Sequence, residues 1–239
     1  MYLKELKYYF SSPVAYVVIG LFVLTIGLFL WVIPGEWNIP DSGYSQVDGL
    51  FSLAPWLMML LCPALTMHLF SEEWQSGTWN ILRSSPVSLW RIVLSKFLAA
   101  WTVVVAALLP CIVHYFLVAW IAEPVGNIDS GAFFGSFLGL LFISIAFTAI
   151  CLFASSMSRS QILDFILAFL FCFLCFYGFR LLASLIDNYS LSNMVGWLGL
   201  ENHYSSVSRG VIDLRDMVYF LSVTVVFVLS SIKVVERKR

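Results

Sequence analysis

Cys172 and Cys175 stand in C-x-x-C spacing, the pattern of a metal or dithiol site. They lie in a Phe-rich apolar run with no His or second Cys pair beside them, so they read as plain buried thiols. Glu201 and His203 offer two metal ligands without a third. His68 and His114 stand singly and read as hydrogen-bonded packing residues. The sequence holds no nucleophile–His–acid set, no G-x-x-x-x-G-K-[ST] phosphate loop and no basic nucleic-acid patch. The chain is therefore expected not to be an enzyme, to hold no metal and to bind no nucleic acid. Its densest polar chemistry is the segment 71–96, which opens on Glu72-Glu73 and ends on Lys96.

The elements that position this segment are apolar. Hydrophobic residues make up 61% of the chain and charged residues 11%, against about 45–50% and about 25% in soluble domains. Such a chain has too little polar surface to face water, and membrane is the default reading. Six runs approach the ~20 residues a helix needs to cross a bilayer: 14–33, 50–70, 97–121, 133–155, 162–186 and 217–235. The first is too long for a signal peptide and lacks a small-x-small cleavage site, so it reads as a retained span. The chain is read as one all-α transmembrane domain over 1–239. Residues 1–12 are expected to form an amphipathic interfacial helix, with Tyr2, Leu3, Leu6, Tyr9 and Phe10 on one face and Lys4 and Lys7 reaching for headgroups.

Lys and Arg mark the cytoplasmic side of a membrane protein. With the N-terminus inside, ten of the thirteen Lys and Arg fall on inner segments. Both termini and the segment 71–96 are thus expected to be cytoplasmic, with 187–216 an outer loop of short helices dipping into the leaflet. A polar segment between two spans is a place for a soluble partner to dock. Within the spans, Arg180 can snorkel outward, and Asp187, seven positions on, can pair with it across a similar helix face. Gly131, Gly135 and Gly139 recur every four residues and form a helix-packing face, within the subunit or, as the bolder reading, at a dimer seam. Pro63 and Pro110 are expected to kink their spans. The Phe residues of the fifth span can face lipid, neighbouring helices or an apolar path.

Nothing in the chain makes energy, so active transport would draw on an ion gradient or a separate ATPase. Midplane charges and repeated halves, the marks of ion-coupled transporters, are not evident. A separate ATPase fits better, and 71–96 is long enough to receive it.

Residues Phe70–Phe97 resemble a stretch of type-2 ABC exporter permeases. The matching positions are Glu72, Glu73, Gly77, Thr78, Leu82, Pro86, Ile92, Val93 and Lys96, with Asn80 where that family has a second Glu. Phe10–Phe22, Asn38-Ile39, Leu53–Trp56, Gly126–Asp129 and His203–Asp216 further resemble the gliding-motility-associated permeases of the GldF type. The resemblance implies a bacterial inner-membrane permease that takes its power from a separate ABC ATPase subunit, which would hold ATP and Mg. It implies a cytoplasmic coupling helix over Glu72–Pro86, with Glu72 and Glu73 as charged contacts and Gly77, Thr78 and Pro86 completing the interface. It also implies a second permease chain or membrane subunit with an extracytoplasmic part, within membrane lipid. A non-transporting anchor that passes ATPase motion to an outer partner is the alternative, and an ion-coupled transporter ranks below it.

Overall fold

The computed structural model describes residues 1–79, 88–211 and 213–238. Every regular element among them is helical. Helix α1 (Tyr2–Ser11) ends where Ser12 takes an extended backbone; the Ser12 hydroxyl accepts from the Val14 N–H at 3.3 Å. Pro13 occupies the first position of α2 (Pro13–Trp31), where its missing N–H leaves no bond unmade. A short α3 (Ile39–Ser42) leads to α4 (Asp48–Thr66), a four-residue turn and α5 (Ser71–Gln75). Helix α4 runs through both Pro55 and Pro63 and breaks only beyond them.

Helix α6 (Leu89–Leu108) passes through a 3₁₀ turn at Leu109–Cys111 into α7 (Ile112–Ile121). Pro110 sits inside that turn, so the interruption expected in this span falls at the proline that cannot donate to the helical ladder. Helix α8 (Ser130–Met157) starts at Asp129, whose carboxylate caps the Ala132 N–H at 3.0 Å. Helix α9 (Gln161–Phe173) widens into a π-turn at Leu174–Gly178 and resumes as α10 (Phe179–Ser184). A hairpin of α11 (Tyr189–Gly196) and α12 (Leu200–Val207) precedes α13 (Leu214–Arg237).

Among the described residues, six helical stretches are long and apolar enough to span a membrane: α2, α4 with α5, α6 with α7, α8, α9 through α10, and α13. The chain is an all-α, multi-pass membrane protein. Helix α8 is its axis. Its most apolar stretch is 72% buried, against 22% for α2, and it packs against α4, α6, α9, α12 and α13. In lipid the hydrophobic effect does not drive helices together, so packing and interhelical hydrogen bonds must do so. Ala99, Ala100 and Ala107 of α6 and Ala146, Ala149 and Ala154 of α8 are fully buried and let backbones approach. The Trp101 indole donates to Ser144 Oγ at 3.0 Å between the same two helices.

Candidate functional site

The polar segment begins where α4 ends. Ser71 Oγ donates to the Met67 carbonyl at 2.6 Å and fixes the turn between α4 and α5. This turn puts Glu72 and Glu73 beside α1 and the start of α6. Glu73 Oε1 lies 2.7 Å from Lys96 Nζ, and the same ammonium lies 3.3 Å from Glu5 Oε1 of α1. The Lys96 side chain is only 3% exposed. A lone ammonium at that depth is strongly disfavoured, and two carboxylates from two different elements compensate it. Glu72 Oε2 accepts from the Tyr8 hydroxyl at 2.5 Å. Burial first, and the neighbouring Glu72 carboxylate second, push the Tyr8 hydroxyl up to about 12, so it remains a donor at physiological pH.

His68 packs against the rings of Tyr8 and Tyr9, with centroids at 5.5 and 5.1 Å. Tyr9 donates to the Leu65 carbonyl at 2.8 Å and so ties α1 to α4. Lys4, Glu5, Tyr8, Glu72, Glu73 and Lys96 border a cavity of about 320 Å³. On the other flank of α5, Trp74 stacks with Phe70 and carries the Lys238 ammonium 4.1 Å from its ring centroid. Lys238 also donates to the carbonyls of Ser156 and Met157 at the end of α8, at 3.0 and 2.6 Å. Gln75 donates to the Arg159 carbonyl at 2.7 Å. Segment 71–79 is therefore tied to α1, α6, the α8–α9 connection and the C-terminal end of α13.

Glu72 and Glu73 were the charges expected to face a soluble partner. The structure instead commits Glu73 to the buried Lys96 and Glu72 to Tyr8, because α1 folds back over them. Within residues 71–79 the exposed positions are Gln75–Thr78. Gly77 turns the chain there with φ +72°, a region costly for residues with a Cβ, and no atom of the described residues lies within 4 Å of where its Cβ would be. Thr78 Oγ1 lies 2.8 Å from Ser76 Oγ. Pro86 lies outside the described residues. Sequence reasoning missed Glu5 and Tyr8. The sole acid of the amphipathic 1–12 segment was the available signal for Glu5.

Arg180 does not meet Asp187. Helix α10 ends at Ser184, so the helical register that would align the two is lost before Asp187 is reached. Arg180 pairs with Glu201 of α12 and lies 5.8 Å from the Tyr177 ring centroid. Glu201 is thus engaged away from His203, whose Nδ1 lies 2.7 Å from Asp216 Oδ1 and Nε2 2.9 Å from the Trp197 carbonyl. Among the described residues, no group of three or more His, Cys, Asp or Glu side chains could hold a metal ion.

The glycine face of α8 meets the end of α12 and the turn that follows it. A Cβ added at Gly135 would lie 2.7 Å from the Gly210 carbonyl oxygen, and one at Gly139 would lie 2.6 Å from Val207 Cγ1. Gly131 has only its own cap residue, Asp129, nearby. Gly135 and Gly139 thus serve packing within the chain.

A family profile described as ABC-2 family transporter protein matches residues 38–233. No curated protein matches the sequence.

Proposed function

The chain belongs to the ABC-2 transporter family, whose members are membrane components of ABC transporters that partner an ABC ATPase, and on that premise we propose that residues 71–79 are its coupling element. The observation that supports this reading is the Lys96 cluster. Glu73, Glu5 and Tyr8 join the end of α4, the N-terminal helix and the start of α6 through one buried ammonium and one short hydroxyl–carboxylate bond. A force on the exposed Gln75–Thr78 turn would pass to α1 and α6 through the ion pairs on Lys96, and to α4 through the turn that Ser71 fixes and the Tyr9–Leu65 hydrogen bond. In this reading the ATPase seats on that turn, and Glu72 and Glu73 stiffen it from behind rather than touch the partner.

The ends of α1 and α13, the α8–α9 connection and segment 71–79 meet at one end of the bundle, where Lys4, Lys7, Lys96, Arg159 and Lys238 gather. That gathering supports a cytoplasmic position for this end and for both termini. The finer reading, a gliding-motility-associated permease of a bacterial inner membrane with a second permease or an extracytoplasmic subunit, rests on the sequence motifs.

A photo-crosslinking residue at Ser76, in complexes purified natively from the source cells, tests the proposal. Crosslinks to an ABC ATPase are expected from Ser76. Capture of the ATPase only from a probe at the opposite end, such as Ser190, would refute the assignment. Mass spectrometry of the same material identifies any second membrane subunit.

A further inference from the structure

At the far end of the bundle from Lys96, a cavity of about 360 Å³ opens between the π-turn, α10, α11 and α12. Phe176, Arg180, Ser192, Asn193, Glu201 and Asn202 border it. Phe176 brings the π-turn at Leu174–Gly178 into its wall. One inserted residue turns everything after it by about 100°, and this aims Arg180 at the hairpin.

Two observations mark the cavity as a site for a ligand with separated charges. The Arg180 side chain is 67% exposed and uses one arm on Glu201 Oε1, leaving most of its five N–H donors available. Glu201 Oε2 is buried and has no hydrogen-bond partner among the described residues. A buried carboxylate oxygen without a donor is disfavoured and calls for one. Helices α10 and α11, which border the cavity, also carry exposed apolar side chains in or directly after them: Leu185, Tyr189, Met194 and Trp197. In a membrane protein these side chains meet acyl chains.

We propose that this cavity binds the headgroup of a phospholipid carrying a primary ammonium. The ammonium donates to Glu201 Oε2, the phosphate accepts from Arg180, and the tails run along the exposed apolar side chains of α10 and α11. A quaternary ammonium has no N–H and cannot satisfy Glu201, so phosphatidylcholine is excluded by chemistry rather than by size. The inference does not depend on the ATPase reading, because it uses only groups at the opposite end.

The test is native mass spectrometry of the purified full-length chain, given equal amounts of phosphatidylethanolamine, phosphatidylcholine and phosphatidylglycerol with identical acyl chains. Retention of phosphatidylethanolamine over phosphatidylcholine by roughly tenfold is expected, the scale of one charged hydrogen bond. E201Q should erase that preference. N202L, which fills the cavity while leaving the ion pair intact, should lower retention of all three lipids and decides the matter if E201Q fails to fold. Equal retention of phosphatidylcholine and phosphatidylethanolamine by the unaltered chain would overturn the proposal. So would an ethanolamine preference that survives both variants.

Discussion

Lys96 shows how far a residue's role depends on partners distant in sequence. Its motif position was legible, as was that of Glu73, because both fall in one continuous polar segment. Glu5, 91 positions from Lys96, was not, since nothing in the spacing of α1 says which helix it will lie against. Replacing Lys96 by Met would leave two carboxylates facing each other in a desolvated site. The loss should approach the range for a broken buried pair, reduced by the partial exposure of both acids, at about 2–3 kcal/mol. Replacing Glu73 by Gln in the same chain removes that repulsion. A double-mutant cycle read by thermal unfolding in detergent should therefore give less destabilisation for K96M/E73Q than the two single changes summed. Additive losses would mean that the two side chains do not act as a pair.

At the scale of elements, the spans were legible because length and hydropathy alone decide whether a helix can cross a bilayer. Their ends were not. Helix α8 starts three residues before the apolar run at Phe133, since Asp129 supplies a cap that hydropathy does not register. The π-turn in the fifth span left no mark in the sequence either, because its Leu, Cys, Phe, Tyr and Gly are ordinary span residues, and it is the π-turn that reorients Arg180 toward Glu201. The glycine spacing of α8 announced a packing face without naming its partner, which is the turn at Gly210 after α12. That turn holds φ +80°, and its own added Cβ would lie 2.5 Å from Ala132 Cα, so neither side can yield. Substituting Gly135 by Ala should destabilise the chain by about 1–3 kcal/mol, as overpacking against rigid backbone does. Replacing Gly131 by Ala, where only Asp129 is near, should leave the melting temperature within experimental error. Equal effects at the two positions would show that the helix face, rather than the contact with the hairpin, carries the packing.

Across the whole molecule, α4 connects the two ends. It leads into the segment at Glu72–Thr78, and near its other end the Phe51 carbonyl accepts from the Tyr204 hydroxyl of α12 at 2.7 Å. Tyr204 is buried, and this bond is a polar link between α4 and the hairpin that roofs the Arg180–Glu201 cavity. A displacement of α4 driven from the Gln75–Thr78 turn would reach that cavity through it. Replacing Tyr204 by Phe keeps the ring and its packing and removes one buried hydrogen bond, at a stability loss of about 1 kcal/mol. With spin labels at the exposed Ser76 and Ser190, addition of ATP to the complex with its ATPase should change the distance between the two ends. In Tyr204→Phe the Ser190 label should lose most of that response while the ATPase stays bound, because association is read at one end and the hairpin's movement at the other. A full response in the variant would assign the transmission to α8 instead, which packs against both α4 and α12 along the axis of the bundle.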